Sequence, residues 1–420
     1  NKHKTIRTHV LLCIPEIFTG QVFLHHILIQ TGHHYHNKNS AQKLFYKIRQ
    51  EAVLSIAVLL ALLSACFVLP DASYFGYIDF RTLTILFSLM TVMAGLQRQG
   101  VFTRFAYSLL SRTNSITSLV FVLVGLCFFC SMLITNDVAL LTFVPFSFAV
   151  LGQLPEASGK KLLTPVVCLQ TIAANLGSML TPIGNPQNLY LYGKSQLSFS
   201  AFLQLMLPYT LLSAILLSVC IFYLGHPHRQ QTVSSSIQNP TTNAAQKKPA
   251  LIRLYIVLFF FCLLAVLHVL PYPAVFVLVL LGAWIADKKV LAQVDYSLLA
   301  TFLAFFIFIG NLGRIPAFAS WLSAALSGRE ILISVLASQV MSNVPAALLL
   351  SGFSNNVPAL IVGTNLGGLG TLIASMASLI SYRQIARKLP EQKGQYFLLF
   401  TLANIGFLAI LLVFATAVHP

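Results

Sequence analysis

Two polar strings interrupt long apolar runs of this chain, and they hold the side chains best suited to binding a small solute. The first lies within the apolar run 162–192 and includes Pro182, Gly184 and Pro186; the second is the Gly- and Asn-rich string 363–371. Proline cannot continue a helical hydrogen-bond ladder, and glycine lets a second backbone approach closely. Each string therefore predicts two half-helices joined by a polar loop, the alternative being a kinked helix or a surface loop. Carbonyl groups that end one half-helix can bind a cation, and N–H groups that begin the next can bind an anion.

Two further apolar stretches, 116–152 and 331–353, are each interrupted at the centre by an asparagine, Asn136 and Asn343. We interpret both asparagines as tips of re-entrant hairpins that present an amide to a central site. Two full membrane spans are an alternative to each hairpin, because both arrangements return the chain to the same side of the membrane. The candidate substrate- and ion-binding residues at the tips and breaks are Thr135, Asn136, Asp137, Asn175, Gly177, Ser178, Thr181, Gly184, Asn185, Asn188, Ser342, Asn343, Thr364, Asn365, Gly367 and Thr371.

Asp137 is the only carboxylate inside an apolar run beyond the first 46 residues. An acid within a membrane is costly and by default suggests a function, here binding sodium or taking up a proton to couple transport. The alternative is a structural carboxylate that caps the following helix. Its counterpart in the second stretch is Val344, so such coupling would involve one half of the chain only. We expect no cofactor and no resident metal, with H⁺ or Na⁺ as the coupling ion.

The composition indicates a polytopic membrane protein. Hydrophobic residues make up 57% of the 420 residues and charged residues only 9%, with a mean hydropathy of +0.81; soluble domains carry about 25% charged residues. The length accommodates about ten spans of roughly 20 residues. The net charge of +16 lies mostly in short loops between apolar runs, which is typical of cytoplasmic loops and predicts a cytoplasmic N-terminus. Without a basic helix, zinc spacing or RNA-binding strand, the charge does not indicate nucleic acid.

Three short strings occur twice and in the same order, which predicts an internal repeat. Asp79 and Asp295, Asn136 and Asn343, and Asn175 and Asn365 are separated by 216, 207 and 190 residues. The falling separation suggests a second copy that is shorter in its loops. The basic loops place the spans 80–96 and 296–312 in opposite directions, so the copies are inverted. Inverted repeats with broken helices are typical of secondary transporters, whose site lies at the midplane.

The predicted fold is therefore an all-α polytopic membrane protein with inverted-topology repeats, two re-entrant hairpins and two broken helices. We expect a basic, His-rich tail at 1–46, with seven of the eleven histidines, and a first transmembrane repeat at 47–224. A polar cytoplasmic loop (225–250), a linking transmembrane helix (251–270) and a second, inverted repeat (271–420) follow. The histidines favour a cationic cytoplasmic tail over a metal site.

The strings 133–140 and 178–188, the latter containing Thr-Pro-Ile-Gly-Asn-Pro-Gln-Asn, resemble the ion transporter superfamily of arsenite permeases, NhaD-type sodium–proton antiporters and citrate and dicarboxylate transporters. The strings 184–188 and 339–345 look most like YbiR-type inner-membrane anion permeases. The resemblance covers roughly residues 50 to 382. It implies a scaffold and a transport core that moves like an elevator, a homodimer, and a small anionic solute carried across a bacterial inner membrane. It places substrate and cation at Asn136, Asn175, Thr181, Asn343, Asn365 and Thr371.

One departure from that family concerns the hairpin tips. Dicarboxylate members carry Ser-Asn-Thr at both tips, whereas this chain has Thr-Asn-Asp at 135–137 and Ser-Asn-Val at 342–344. The departure weakens the case for a dicarboxylate substrate and for sodium coupling.

Other functions are less well supported. The chain has no His-Glu-x-x-His helix, no Gly-x-Ser-x-Gly turn and no second intramembrane acid beside Asp137, so we expect no enzyme. A cation–proton antiporter of the same superfamily and an anion channel remain as alternatives.

Overall fold

The computed structural model describes residues 51–226 and 248–418. The predicted tail (1–46) and most of the predicted polar loop (225–250) lie outside the described residues. Six helices in the described part are long and apolar enough to cross a membrane, and one sharply bent pair could form a seventh span. The prediction of an all-α polytopic membrane protein is confirmed.

The first half of the described chain forms nine helices: α1 (Ala52–Phe67), α2 (Tyr74–Tyr77), α3 (Phe80–Arg98), α4 (Val101–Leu110), α5 (Ile116–Ile134), α6 (Asn136–Leu151), α7 (Glu156–Ser178), α8 (Pro186–Lys194) and α9 (Phe199–Gly225). A linking helix, α10 (Pro249–Val266), precedes nine more: α11 (Tyr272–Ala286), α12 (Lys288–Leu291), α13 (Tyr296–Gly313), α14 (Pro316–Leu326), α15 (Glu330–Met341), α16 (Asn343–Leu350), α17 (Val357–Leu366), α18 (Met376–Lys388) and α19 (Lys393–Val418). The helix order is the same in both halves, so α3 corresponds to α13 and α8 to α18.

Equivalent side chains begin the two central helices, α3 and α13. Asp79 Oδ1 accepts a hydrogen bond of 3.0 Å from Thr82 N, and Asp295 Oδ1 accepts one of 2.9 Å from Leu298 N. Each aspartate satisfies a backbone N–H that a helix N-terminus leaves without a partner. These matching caps are the structural basis of the Asp79/Asp295 repeat seen in the sequence.

Helices α1 to α3 and α10 to α13 form a scaffold in which each central helix is covered by the other half of the chain. Helix α1 packs against α13, and α10 and α11 pack against α3. Glycines allow these helices to approach closely. A Cβ atom at Gly95 would lie 2.5 Å from the Tyr255 ring, and one at Gly310 would lie 2.2 Å from the Tyr77 ring.

Two ion pairs join the halves at equivalent places. Arg98 Nε lies 3.3 Å from Asp287 Oδ2, and Arg314 Nη1 lies 2.7 Å from Asp71 Oδ2. In each pair an arginine at the end of a central helix binds an aspartate of the other half. The Ser73 hydroxyl and, after it, Arg314 lower the pKa of Asp71 below its usual value.

We expect Arg314→Gln to remove a small, pH-dependent part of the stability. Because the pKa of Asp71 is lowered in the folded state, its contribution is present above the ordinary carboxyl pKa and is lost as the pH falls through the lowered value. The melting temperature in detergent, followed from about pH 6 down to about pH 3, measures this loss. Arg112→Gln, in the loop after α4, is the control. An Arg314→Gln protein with the wild-type pH profile would contradict the prediction.

The second half is shorter in its helices, so the prediction of shortened loops is wrong. Helix α5 has 19 residues and α15 has 12; α6 has 16 and α16 has 8; α7 has 23 and α17 has 10. The tips and breaks are fixed by contact with each other, whereas a helical arm can lose turns at its far end. A 12-residue arm spans about 18 Å, less than the roughly 30 Å hydrocarbon core, so the α15–α16 hairpin is too short to cross.

Two short helices, α4 and α14, lead into the hairpins and were not predicted from the sequence. Helix α14 meets α15 at an angle of 115°. Apolar residues recur in α4 at helical spacing, among them Val101, Phe102, Phe105 and Ala106, a pattern that predicts an amphipathic helix. It was overlooked because the segment is too short to span a membrane.

Candidate solute-binding site

The tips of both hairpins are held against the loops that break α7–α8 and α17–α18. Asn136 N donates a 3.1 Å hydrogen bond to Gly184 O, and Asn343 N donates a 2.9 Å bond to Ala374 O. In both halves the acceptor lies directly before the residue at the N-cap position of the second half-helix, Asn185 or Ser375. The two predicted tips therefore sit at equivalent positions.

The residue before each tip has an unusual backbone conformation. Thr135 has a φ of 68° and Ser342 a φ of 76°, in a region that residues other than glycine rarely adopt. Such conformations cost free energy and persist where the surroundings enforce them, often at functional sites. Here the enforcing contacts are the bonds from the tips to the helix breaks.

Threonines of the breaks hold the first arm of each hairpin. Thr181 Oγ1 donates to Met132 O, and Thr371 Oγ1 donates to Gln339 O at 3.3 Å. Both predicted threonines thus position a hairpin, and the hydroxyl proton of each is engaged in this contact.

Glycines at the ends of the first half-helices let the hairpins approach. A Cβ atom at Gly177 would lie 2.0 Å from Phe128 O, and one at Gly367 would lie 2.5 Å from Ser338 Oγ. A Cβ atom at Gly184 would lie 2.0 Å from Ser178 O. The predicted glycines are therefore packing requirements of the site.

Amide side chains link the first tip and both halves of the chain. Asn136 Nδ2 donates to Asn175 Oδ1 at 3.1 Å, and this oxygen also accepts from Ser375 Oγ at 3.0 Å. Asn175 Nδ2 in turn lies 3.4 Å from Ser378 Oγ. The end of α7 is thus bonded to the beginning of α18, which belongs to the other half.

The reciprocal contact joins the end of α17 to the beginning of α8. Asn185 Nδ2 donates to Asn365 Oδ1 at 3.1 Å, and Asn365 Nδ2 donates to Asn188 Oδ1 at 2.6 Å. Asn185 Nδ2 also reaches Ser178 Oγ at 3.2 Å. The two breaks therefore form one continuous buried network.

Four helices, α6, α8, α16 and α18, begin at this network. Asn185 caps α8 by accepting from Asn188 N at 3.0 Å, whereas Thr135, Ser342 and Ser375 make no side-chain cap at the other three. Helix N-termini carry partial positive charge and exposed N–H groups, which suit an anion.

Asp137 lies in the first turn of α6, beside the tip asparagine. Its backbone N–H donates to Asn136 Oδ1 at 2.9 Å, and its Oδ1 atom is buried without a hydrogen-bond partner among the described residues. This oxygen therefore does not cap the helix. A buried carboxylate oxygen without a partner is costly unless a proton or a cation neutralises it.

The side chain of Thr364, another predicted residue, does not join the network. Its Oγ1 donates to Leu360 O at 2.7 Å within its own helix. Asn343 contributes its backbone at the tip, and its side chain lies against Gly368, where a Cβ atom would come within 2.9 Å of Nδ2.

Three residues of the site, Gln339, Ser375 and Ser378, were missed. Ser375 and Ser378 lie 190 residues after Asn185 and Asn188, the same separation as between Asn175 and Asn365. Gln339 lies 207 residues after Met132, the separation of the two tips. Applying the repeat separations to every polar residue would have found both serines. Within the described residues no group of three His, Cys, Asp or Glu side chains could hold a metal ion.

Comparisons with known proteins agree with this architecture. Residues 44–354 match the citrate transporter family. The inner membrane protein YbiR of Escherichia coli is 32% identical over 316 residues, covering 73% of this chain and 80% of the relative. The uncharacterized transporter MJ0456 of Methanocaldococcus jannaschii is 30% identical over 332 residues, covering 79% and 87%. The silicon efflux transporter LSI3 of rice, Oryza sativa, is 30% identical over 154 residues, covering 36% and 30%.

The family match covers more than half of the chain and includes both helices of each hairpin and the first broken helix. It agrees with the resemblance found in the strings at the first tip and first break. The family and the relatives from Methanocaldococcus jannaschii and rice are named as transporters, which confirms the expectation of a transporter rather than an enzyme. The chain therefore belongs to the citrate transporter family and is a multi-pass membrane transporter.

Proposed function

We propose that the chain is a secondary active transporter that moves a small anion, an inorganic oxyanion or a carboxylate, across the inner membrane of a bacterium. Protons or sodium would provide the driving force. The observation that carries this proposal is the single buried network in which two hairpin tips and two helix breaks meet.

An anion is favoured by the electrostatics of the network. Three helices begin there without a side-chain cap. The first N–H groups of α6 and α16 already donate to Gly184 O and Ala374 O, so an anion would be bound by the remaining N–H groups of these first turns and by the partial positive charge of the helix ends. The surrounding side chains are neutral amides and hydroxyls, which bind oxygen atoms without fixing one particular charge. The family is named for citrate and the rice relative for silicon efflux, so organic and inorganic solutes both deserve testing.

Coupling is assigned to Asp137. Its unpaired, buried oxygen lies one residue from the Asn136 tip, where binding of a cation and of the solute can influence each other. A carboxylate that must be neutralised before the hairpin moves would tie the transport step to the coupling ion.

An elevator movement is supported by the separation of the scaffold from a core, which comprises the two hairpins (α5–α6 and α15–α16), the two broken helices (α7–α8 and α17–α18) and α19. Polar bonds tie the core together, as between Thr171 Oγ1 and Tyr396 OH at 3.2 Å. The contacts of the core with scaffold helix α13 include apolar ones, such as the Tyr190 and Phe306 rings at 5.7 Å. Apolar surfaces slide past each other at little cost, since few directional bonds must break. The family resemblance supports a homodimer, and the basic loops support a cytoplasmic N-terminus. The inner membrane is supported by the name of the E. coli relative, an inner membrane protein.

Uptake into proteoliposomes tests the proposal. Arsenite, phosphate, sulfate, silicate, citrate and C4-dicarboxylates would each be offered under an imposed proton or sodium gradient. Saturable uptake that accumulates one anion is the expected result. Gradient-independent, non-saturating flux would indicate a channel, and cation flux without anion uptake would indicate cation–proton antiport.

We expect Asn136→Ala to lower kcat/KM for the transported anion about tenfold or more. The substitution removes the amide at the tip together with its bond to Asn175, and a hydrogen bond involving a charged group is worth about 1.5–3 kcal/mol. Asn404→Ala is the matched control, because Asn404 is also buried but donates to Phe400 O in α19. Equal transport by both variants would remove Asn136 from the site.

A further inference from the structure

The carbonyl groups that end the first half of each broken helix are already bonded to a side-chain amide. In the first half this amide is Asn188. Its Nδ2 atom lies 3.4 Å from Ser178 O, 3.3 Å from Met179 O and 3.2 Å from Thr181 O. The carbonyl groups can only accept, and Asn188 Oδ1 accepts from Asn365, so the orientation of the amide is fixed.

In the second half the amide is Gln339, which reaches the break from the hairpin arm α15. Its Nε2 atom lies 3.1 Å from Gly367 O and 2.9 Å from Leu369 O. Its Oε1 atom accepts from Thr371 N at 2.9 Å, and because that N–H can only donate, this orientation is fixed too. The loop closes tightly around the amide: Gly370 has a φ of 106°, and a Cβ atom there would lie 2.3 Å from Gln339 Oε1.

The two amides are not equivalent residues of the repeat. The position of Gln339 is occupied in the first half by Met132, and the position of Asn188 is occupied in the second half by Ser378. Each break therefore receives one amide, from a half-helix in one copy and from a hairpin in the other. In both halves a side-chain amide donates to the carbonyl groups at the break, although the amide comes from a different position in each half. This recurrence argues against coincidence.

An amide NH₂ group supplies to these carbonyl groups what a bound cation would supply. The C-terminal ends of half-helices carry partial negative charge, and in broken-helix transporters they help to coordinate sodium. Here two N–H bonds point at the same oxygens and occupy the space between them. We infer that Asn188 and Gln339 take the place of coupling sodium ions, so that sodium does not bind at either break. This inference deepens the proposed function and rests on it, leaving the proton as the coupling ion.

A thermal-unfolding measurement in detergent tests the inference without any substrate. The full chain would be melted in sodium, potassium and choline chloride at equal ionic strength. The wild-type melting temperature should be the same in all three salts. Stabilisation of the wild type that is specific to sodium would overturn the inference.

A pair of glutamine variants makes the test sharper. Gln339→Ser removes the amide and opens the carbonyl cage, so we expect a melting temperature several degrees lower, of which sodium but not potassium restores at least half. Gln170→Ser is the matched control. Gln170 Nε2 also donates to two carbonyl groups, Leu123 O at 3.0 Å and Phe143 O at 3.5 Å, but these belong to hairpin arms. It should lose stability without any response to sodium.

The outcomes separate cleanly. The inference would be overturned if the melting temperature of Gln339→Ser did not respond to sodium, or if sodium raised the melting temperatures of both variants alike. In either case the carbonyl groups would not form a cation-sized site. If Gln339→Ser does not fold, the wild-type measurement alone decides. A wild type that ignores sodium in melting but moves no anion would contradict the proposed function and leave this assignment standing.

Discussion

Replacing Asp137 with asparagine is expected to abolish accumulation of the solute against its gradient while leaving solute exchange intact. Asparagine has nearly the shape of a protonated aspartate but cannot release a proton. The buried Oδ1 position, which has no hydrogen-bond partner among the described residues, would then be permanently neutral. The hairpin could move with solute bound, but no proton would accompany it.

Two assays on the same proteoliposomes measure this separation. Net uptake under an imposed proton gradient should fall to the level of empty vesicles, and exchange of labelled for unlabelled solute should stay within a few-fold of the wild type. Glu391→Gln is the control, since Glu391 is an exposed carboxylate in the turn between α18 and α19. An Asp137→Asn protein that still accumulates solute would reduce Asp137 to a structural residue, and loss of exchange as well would place it in solute binding.

Gly177→Ala is expected to damage both stability and transport severely. The added Cβ would lie 2.0 Å from Phe128 O and 2.8 Å from Phe128 C, so backbone must move, and with it the hairpin arm α5. Overpacking of this kind costs about 1–3 kcal/mol even in cores that can adjust. The displaced tip would also lose its bond to Gly184.

The equivalent change in the second half should be milder. At Gly367 the nearest atom is Ser338 Oγ, at 2.5 Å, and part of that side chain can rotate away. Gly406→Ala provides the control, because no atom lies within 4 Å of its added Cβ. Melting temperatures in detergent and uptake should both rank Gly406→Ala, Gly367→Ala and Gly177→Ala in order of increasing damage. The reverse order for the two site glycines would contradict the packing argument.

The tips and breaks could be located from the sequence because their signals are local. Pro182, Pro186 and their neighbouring glycines interrupt a helix whatever lies around them, and a polar tip such as Asn136 stands out in an apolar stretch. The order of the strings in the two halves then predicted which breaks correspond. These signals do not depend on knowing which distant residues meet.

The contacts between the halves could not be predicted from local sequence signals. Ser375 and Ser378 look like ordinary helix-start residues, and their role depends on Asn175, about 200 residues earlier in the chain. Gln339 lies inside an apolar arm without glycine or proline nearby, so no local signal marks it. The shortening of the second half was wrongly assigned to loops for a related reason, since the sequence separation between two residues does not say whether helix turns or loop residues were lost between them.

The crossed bonds at the centre have a consequence for the history of the chain. Asn175 of the first half relies on Ser375 and Ser378, and Asn365 of the second half relies on Asn185 and Asn188. Each half thus takes part of the hydrogen bonding of its buried amides from the other half, so a half-length ancestor would have needed an antiparallel partner of the same sequence to complete these bonds. Fusing such a pair into one gene requires an extra membrane crossing to invert the second subunit, and α10 supplies it.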